Sequence, residues 1–448
     1  METLPCQVKN VGALLEQNLA IPPYQRPYKW QQKHVNQLID DVLAHQNKQC
    51  YRLGTVVLYW DKLKPAYTGE LDIVDGQQRL LTLTMLCSVL DQSGEFSTPL
   101  LEQSFASGVS INNLGHSAKV IDNRLVGLND DERKSLLHFV CSKCELIEVM
   151  LDDLSEAFQF FESQNARGKA LAPHDLLKAY HLREMMDATE QAERLYHVSL
   201  WEQGVSPDDD SAILHLIMGE FLFRLRRWLD GDYGVQFSRH NLDVFKGINL
   251  STSDYHYVQP MLAMDFAIEH YNNDLARKWD KQSKPYPFQV NQVMIKTINL
   301  KRFFEYIQHY ISLHHILFEG DNALLGDFLK HTYYTGSSRK GDMYIKNLFM
   351  CAVMAYYDKF GDKQLTQAAK VCFCWSYYLR LHYQKIGMDS VGGYAREPRG
   401  LLRVLDKAIH PQQILRFQPK HFENIRFQSA KPVEDSIAQM QGDVHATE

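Results

Sequence analysis

Hydrophobic and polar positions in the first part of the chain change from helical to strand-like spacing and back. The apolar residues of 29–46 recur at intervals of three and four, which predicts an amphipathic helix. The runs 51–60 and 66–75 are apolar and β-rich, and a charged turn separates them, which predicts a hairpin. Further helices are predicted over 11–20 and 77–92. Residues 1–95 are therefore expected to form a small α+β unit.

The next segment has a less regular pattern. Residues 93–124 are rich in Ser, Gly and Asn, which favours a mobile loop or an insertion with short helices. Helices are predicted over 130–140 and 153–164, and a strand over 145–151. We therefore expect a mostly helical extension over 96–195.

From about residue 199 onward the pattern is mostly helical. Strong helical runs are predicted at 212–228, 291–318, 341–359 and 366–384, and their Met and aromatic stripes indicate core. A helical domain is therefore expected over 196–429. The polar end, 430–448, is expected to be a disordered tail.

Composition narrows the class of protein. The chain has 448 residues and a net charge of −6, so any nucleic-acid contact must be local. Its eight cysteines are scattered, and the start of the chain has no apolar signal-peptide region, which predicts a reduced cytoplasmic protein. The longest apolar runs are too short to span a bilayer. Cys141 and Cys144 form a lone CxxC pair, which disfavours zinc.

The strongest candidate for a binding or catalytic site is the stretch Asp75-Gly-Gln-Gln-Arg79, which lies between a predicted strand and a predicted helix. A strand that turns through Gly76 into a helix points backbone N–H groups at one spot, which suits an anion. Asp75 can hold Mg²⁺, Gln77 and Gln78 can bind a water, and Arg79 can grip a phosphate. The structural alternative is a strand–turn–helix corner with a polar cap.

A second polar cluster lies upstream in Ile21-Pro-Pro-Tyr-Gln-Arg-Pro-Tyr-Lys-Trp30, where three prolines hold the chain extended. Gln25 and Arg26 favour a functional role. The aromatic residues, Tyr24 among them, either stack on a base or pack on the next helix, and packing is favoured. Gly54, before the core of its strand, suggests close approach of a ligand.

A third cluster follows the helix predicted over 153–164. The motif 160–168 ends in Asn165-Ala-Arg167-Gly168, and Pro173 opens a new helix that carries Lys178. Asn165, Arg167 and Lys178 make this helix–loop–helix more polar than a structural corner requires. A capped interhelical turn remains the alternative.

One region of the acidic chain is basic. Residues 380–426 hold nine Lys and Arg against four Asp and Glu, with a glycine-containing segment at 387–400 that we expect to be a flexible loop. This region is the candidate DNA contact, against the alternative of a solvated helix face. Its five candidate residues are Arg380, Lys385, Arg396, Arg399 and Arg403.

Several known sites are absent from the sequence. It contains no GxxxxGK[ST] phosphate loop, no HExxH, no GxSxG and no kinase motif set. It also contains no convincing His-Asn-His nuclease arrangement.

The three polar clusters, in this order, resemble the GmrS-type family with the DGQQR motif, over about the first 190 residues. The resemblance implies a ParB/sulfiredoxin-like N-terminal domain and a role in type IV restriction and related anti-phage systems. It implies an NTP-binding and hydrolysing site, with Mg²⁺ and either GTP or ATP. The expected fold class is α+β, a small domain of this type followed by a mostly α-helical region.

Carried over by position, the resemblance implies catalytic roles for Asp75, Gln77, Gln78 and Arg79. Nucleotide binding is implied for Tyr24, Gln25, Arg26, Gly76, Asn165, Arg167 and Lys178. The implied partners are modified phage DNA and a separate His-Asn-His nuclease subunit, since this chain lacks that signature, and a homo-oligomer is compatible. Two alternatives stay open: a nuclease in its own right, and a non-catalytic module that responds to nucleotide.

Overall fold

The chain folds into two units, Met1–Gln203 and Gly204–Glu448, in the computed structural model. The structure describes residues 6–22, 25–60, 69–105, 108–152, 172–185, 196–198, 200–201, 212–234, 236–249, 255–274, 288–292, 295–296, 301–418 and 431–445. No helix in this part of the chain is long and apolar enough to cross a membrane.

Among the described residues of unit 1, five strands form one mixed sheet in the order β1-β5-β3-β4-β2. β3 runs antiparallel to β4 and parallel to β5, β1 is antiparallel to β5, and β2 is parallel to β4. The antiparallel β3–β4 pair was predicted. The strands are β1 (Cys6–Asn10), β2 (Leu19–Ala20), β3 (Tyr51–Trp60), β4 (Leu71–Asp75) and β5 (Cys144–Leu151).

β5 lies between β1 and β3, although it follows them by some ninety residues or more in sequence. The sheet therefore includes a strand from the segment after residue 95, at the place where a strand was predicted over 145–151. Hydrogen bonding between strands distant in sequence leaves no local pattern, so the position of β5 between β1 and β3 could not be predicted from periodicity.

Helices accompany the sheet in the described part of unit 1. The apolar residues Val35, Leu38, Ile39 and Val42 of α2 are all buried, as the predicted amphipathic pattern requires. α5 begins with a capping box in which Asn129 and Glu132 satisfy each other's backbone N–H groups. The helices are α1 (Val11–Leu15), α2 (Gln32–Ala44), α3 (Gln77–Leu90), α4 (Gly108–Leu125), α5 (Asp130–Ser142) and α6 (Pro173–Met185).

α3 is the central helix of this unit. It buries apolar residues such as Leu80 and Leu83 together with the polar Thr82 and Thr84. Its buried side chains belong to one core with those of the sheet and of the other helices. Such burial on all sides holds the start of α3, and the turn before it, in a fixed place.

Two local predictions in unit 1 are wrong. The segment 93–124, expected to be irregular, contains the long helix α4, whose Val120 and Ile121 are buried. The helix expected over 11–20 ends at Leu15, and Leu19–Ala20 is a strand paired with β4. In both places burial against neighbouring elements decides the structure, rather than local propensity. The helix predicted over 153–164 lies outside the described residues.

Helices dominate unit 2, as predicted, so the α+β fold class with a helical second part is confirmed. Only the short strands β6 (Ile248–Asn249) and β7 (Ile295–Lys296) pair within its described residues. A π-helical segment, His215–Leu222, joins its first two helices. The helices are α7 (Ala212–Leu214), α8 (Phe223–Leu229), α9 (Asp243–Lys246), α10 (Val258–Asn273), α11 (Arg302–Phe318), α12 (Lys340–Phe360), α13 (Leu365–His382), α14 (Met388–Ala395), α15 (Leu401–Lys407), α16 (Gln412–Leu415) and α17 (Lys431–His445).

The end of the chain differs from the prediction. The disordered tail expected over 430–448 is wrong for Lys431–His445, which forms α17. Val433, Ile437 and Met440 recur at helical spacing on this helix and are buried. Apolar burial of one face stabilises a helix whose other positions are polar.

The expected flexible loop at 387–400 is also largely helical. α14 begins after Gly387 and ends at Ala395, and it carries buried Val391 and Tyr394. The Tyr394 hydroxyl donates to the Trp375 carbonyl oxygen at 2.9 Å. Gly392 is buried against Trp228, and a Cβ there would make an ordinary van der Waals contact 3.7 Å from the indole nitrogen, so the packing does not require glycine at this position.

Replacing Gly76 with alanine is expected to lower the free energy of unfolding of unit 1 by about 2–4 kcal/mol. Gly76 has φ of +98°, and an added Cβ would lie 2.8 Å from Cγ2 of Val56. Gly94 is the matched control, since its φ is +72° but nothing lies within 4 Å of its added Cβ. Urea unfolding of Gly94→Ala should show only the backbone part of that cost. Equal losses in the two variants would contradict close packing at Gly76.

Candidate functional site

The corner between β4 and α3 is built by one residue in an unusual backbone conformation. Asp75 ends β4, Gly76 takes a left-handed φ of +98°, and Gln77 begins α3. Gly76 offers no side chain to cap the helix, so the first N–H groups of α3 receive no side-chain hydrogen bond from that position. The positive end of a fourteen-residue helix is thereby presented next to Asp75.

Arg79 lies across an irregularity of β3. The pairing of β3 with β5 shifts register between Arg52 and Thr55, and Gly54 within it has φ of +124°. A Cβ on Gly54 would lie 2.8 Å from Nη1 of Arg79, so the close approach suggested by this glycine is made by an arginine of the chain itself. Nη1 donates to the Thr55 carbonyl oxygen at 3.2 Å. Its other guanidinium N–H groups form no hydrogen bond within the part of the chain that the structure describes.

Asp75 and Arg79 also influence each other electrostatically. Burial lowers the pKa of the Arg79 guanidinium, and the nearby Asp75 carboxylate opposes that shift. Within the described residues the Asp75 side chain makes no hydrogen bond or ion pair. A half-buried carboxylate without a direct partner, beside a half-buried cation, is more typical of a binding site than of a structural corner.

Gln77 carries an orphaned acceptor. Its side chain is only 5% exposed, and its Oε1 has no hydrogen-bond partner among the described residues. A buried amide oxygen without a donor is energetically costly unless a water or a ligand supplies one. Gln77 therefore fits the water-binding role predicted for it.

Gln25 and Gln78 hold the extended loop 25–30 against the corner. Nε2 of Gln25 donates to the carbonyl oxygens of Ile73 and Val74 at 2.8 and 2.7 Å. Oε1 of Gln78 accepts from the backbone N–H groups of Lys29 and Trp30 at 2.7 and 3.2 Å. Its Nε2 donates to the Pro27 carbonyl oxygen at 3.3 Å. The structure thus gives these two buried amides a positioning role, while the catalytic role of Gln78 and the nucleotide contact of Gln25 stay predictions.

The aromatic part of this loop packs into the core. The Tyr28 ring is fully buried, and its hydroxyl lies 2.8 Å from Thr82 Oγ1 and 3.2 Å from Ser117 Oγ. Burial raises the pKa of this phenol. Its backbone N–H donates to Ser110 Oγ at 3.0 Å, and its carbonyl accepts from Asn113 at 2.9 Å. The packing interpretation is therefore confirmed for Tyr28.

Arg26 lies between the two glutamine anchors. It is half-buried, and within the described residues it forms no hydrogen bond or ion pair. Because Gln25 is fixed just before Asp75 and Lys29 is fixed to Gln78, the loop carries Arg26 along the β4–α3 corner. The predicted association of Arg26 with this corner is consistent with these contacts.

The third cluster is only partly described. Tyr24, Asn165 and Arg167 lie outside the described residues, so their roles stay predictions. Lys178 lies on α6, where it is 2% exposed. A lysine buried this deeply requires compensating partners, and its predicted contact with a nucleotide also stays a prediction.

The candidate DNA residues do not share one environment. Arg380 is buried, and its Nε lies 2.7 Å from Oδ1 of the buried Asp342. Arg380 also donates to the carbonyl oxygens of Tyr383 and Gln384 at 3.3 and 3.0 Å. A DNA contact by Arg380 is therefore wrong: this cation compensates a carboxylate inside unit 2.

The other four candidates divide into two pairs. Arg396 stacks on the Tyr233 ring at 3.7 Å, and Arg403 donates to the Leu229 carbonyl oxygen. Lys385 and Arg399 are exposed, and within the described part of unit 2 they form no ion pair. Only Lys385 and Arg399 therefore have the freedom expected of phosphate contacts.

The side chains that fix the loop had no signal in the sequence. Ser110, Asn113 and Ser117 reach Tyr28 from α4, more than eighty residues further along the chain. Within the described residues, no group of three or more His, Cys, Asp or Glu side chains is arranged to hold a metal ion. A cation at the corner would thus have Asp75 as its protein carboxylate.

Comparison with known families gives two matches. Residues 11–182 match the GmrSD restriction endonuclease N-terminal domain, which contains all the described corner residues. Residues 193–434, more than half of the chain, match a family of unknown function (DUF7834). No curated protein matches the chain.

The Gln78→Ala variant is expected to lose about 2–4 kcal/mol of free energy of unfolding of unit 1, since it leaves two buried N–H groups and one carbonyl without partners. Gln92, exposed just beyond the same helix, is the matched control, and Gln92→Ala should stay within about 0.5 kcal/mol of wild type. Urea unfolding measures both. A Gln78→Ala protein as stable as Gln92→Ala would contradict the anchoring role.

The Arg380→Ala variant is expected to lose about 3–5 kcal/mol of unfolding free energy in unit 2, because Asp342 would remain charged and buried. Lys385→Ala changes a nearby cation that is exposed, and it should shift stability by no more than about 0.5 kcal/mol. Thermal and urea unfolding of the two variants separate these outcomes. Similar unfolding midpoints would show that Arg380 is not a buried structural cation.

Proposed function

The chain belongs to the family of unknown function that spans residues 193–434, and it carries a GmrSD-type N-terminal domain; from this premise we propose that it is a nucleotide-hydrolysing, DNA-sensing subunit of a restriction system. Restriction of foreign DNA is the general role that its N-terminal domain supports. The finer proposal is that the β4–α3 corner binds and hydrolyses GTP or ATP, and that a separate His-Asn-His nuclease subunit cuts the DNA.

The observation that carries this proposal is that some polar side chains of the corner are fully used in structural hydrogen bonds, whereas others are not. Gln25 and Gln78 are occupied in holding the loop. Asp75, the Gln77 oxygen and Arg26 have no direct partner among the described residues, and Arg79 uses one N–H group on Thr55. The two glutamine anchors are explained by the structure of the corner alone. The polar side chains without direct partners are not, and binding of a ligand would explain them.

The chemistry of these free groups suits a triphosphate. Hydrolysis of a phosphoanhydride needs cations around the phosphate oxygens and a water held in line, with little covalent work by the protein. Arg79 and Arg26 supply positive charge, and the first N–H groups of α3 add donors for an anion. The orphaned Gln77 oxygen is suited to accept a hydrogen bond from the attacking water.

Mg²⁺ is compatible with the same corner. Asp75 offers a carboxylate that is not engaged by a described cation at hydrogen-bond distance, and Mg²⁺ typically uses one or two carboxylates together with substrate phosphates. When bound there, the ion would neutralise phosphate charge. Asp75 would then hold the ion directly or through a water, while Arg79 contacts phosphate oxygens from the start of α3.

Recognition of modified phage DNA belongs to the same proposal. Lys385 and Arg399 are the exposed cations of the basic region that can contact phosphates. Nucleotide bound at the corner would shift the chain between states with different affinities for DNA or for the nuclease. The dependence of DNA affinity on bound nucleotide can be measured directly on the full chain.

The Asp75→Ala and Arg79→Ala variants are each expected to lower nucleoside triphosphatase activity of the purified chain by about 100-fold or more. The measurement is release of inorganic phosphate from GTP and ATP with Mg²⁺, with and without modified phage DNA. Lys134→Ala and Asp122→Ala are the matched controls, because both side chains are exposed in unit 1, on α5 and α4. They should retain wild-type turnover.

Thermal unfolding establishes that the variants remain folded before their activity is compared. Wild-type turnover in folded Asp75→Ala and Arg79→Ala proteins would overturn the site assignment. Tight binding of nucleotide without turnover, even with DNA and the nuclease present, would instead favour a non-catalytic regulatory module. Metal-dependent cutting of DNA by the chain alone would favour a nuclease.

A further inference from the structure

Three thiols lie close together in unit 1, away from the groups proposed to bind nucleotide. Cys87 is on α3, Cys141 is on α5, and Cys144 begins β5. Cys87 and Cys144 are fully buried, whereas Cys141 is partly exposed. The proposed hydrolysis uses none of them, so their arrangement needs a separate explanation.

Cys87 and Cys141 are in direct contact. Their Sγ atoms are 3.7 Å apart, between two helices that pack against each other. A disulfide has an S–S distance of about 2.0 Å, so small side-chain rotations or helix shifts would have to bring the sulfurs together. Cys144 makes no comparable contact with either sulfur within the described residues.

The two thiols have complementary acid–base properties. The hydrogen bond between them lowers the pKa of Cys141, while that bond and burial raise the pKa of Cys87. Cys141 is therefore the thiol that ionises first, and it is also the one that solvent reaches. Burial raises the pKa of Cys144 to about 12, which disfavours it as a nucleophile.

We propose that Cys87 and Cys141 form an oxidation site, at which a peroxide converts the dithiol into a disulfide that links α3 to α5. The proposal rests on the distance between the sulfurs and on the unequal exposure of the two thiols. It is independent of the proposed nucleotide hydrolysis, although α3 carries the candidate site at its other end.

The reaction balances with hydrogen peroxide as the oxidant. The Cys141 thiolate attacks one peroxide oxygen, the O–O bond breaks, and the leaving hydroxide takes a proton to become water. Cys141 is then a sulfenic acid. The Cys87 sulfur attacks the Cys141 sulfur, the S–O bond breaks, and a second water leaves with the Cys87 proton. Two thiols lose two electrons, and one peroxide becomes two waters.

The site can be tested by mass spectrometry on the full chain, in a Cys6→Ser/Cys50→Ser background that removes the exposed thiols. After treatment with hydrogen peroxide, free thiols are blocked with N-ethylmaleimide under denaturing conditions, and the protein is digested with trypsin. Cleavage after Arg79, Lys119, Lys134 and Lys143 places Cys87, Cys141 and Cys144 in three different peptides. The expected product links 80–119 to 135–143.

Two matched variants test which cysteines form the disulfide. Cys144→Ser should give the same linked peptide, whereas Cys87→Ser should leave Cys141 as a peroxide-sensitive thiol that a sulfenic-acid probe labels. Oxidation should also raise the melting temperature by roughly 5 °C in a way that dithiothreitol reverses, since a cross-link restricts the unfolded chain.

A peptide linking Cys141 to Cys144 would overturn the assignment. So would full N-ethylmaleimide labelling of Cys87 after peroxide has oxidised other thiols of the same sample. Neither result would affect the proposed nucleotide site, because phosphate release is measured separately on reduced protein.

Discussion

Two buried glutamine amides hold the N-terminal unit in the arrangement on which its candidate site depends. Gln25 bonds to the last carbonyl groups of β4, and Gln78 bonds to the backbone of the loop that carries Arg26. A proline-rich loop has few backbone donors with which to form regular structure. Side-chain amides from the strand–helix corner and from the loop itself replace those missing bonds. The loop, β4 and the start of α3 therefore behave as one rigid assembly.

Within this assembly, some residues build the corner, and others have side chains that remain available to bind a ligand. Gly76 makes the turn possible, and Gly54 leaves room for Arg79 across β3. Within the described residues, the side chains of Asp75 and Arg26 form no hydrogen bond or ion pair, and the Gln77 side-chain oxygen has no hydrogen-bond partner. The five residues 75–79 thus divide into the turn residue Gly76, the anchor Gln78 and three side chains proposed to contact a metal-bound nucleotide or its attacking water, those of Asp75, Gln77 and Arg79.

Much of this organisation was predictable from the sequence. The strands flanking 61–70, the helix after Gly76 and the helical second unit follow from local periodicity, which reports the buried face of each element. The placement of β5 inside the sheet did not, because pairing between distant strands leaves no local signal. The same limit explains why α4 was taken for irregular structure, although its serine and asparagine side chains hold Tyr28.

At the site, residue type identified the right segment but not the role of each residue. Both Gln77 and Gln78 are buried glutamines, and only their contacts distinguish an orphaned oxygen from an anchor. Arg380 had the charge of a DNA contact, yet its partner Asp342 lies on another helix and is invisible to local composition. Burial and pairing decide whether a cation is structural or free, and both are properties of the folded chain.

Hydrogen–deuterium exchange of the full chain, with and without GTP or ATP and Mg²⁺, tests the central claim most directly. If the β4–α3 corner holds the triphosphate, the backbone amides of Gln77, Gln78 and Arg79 should become protected on nucleotide binding. Arg79→Ala should abolish that protection. Nucleotide binding that leaves these amides unchanged, while protecting another part of the chain, would contradict the account.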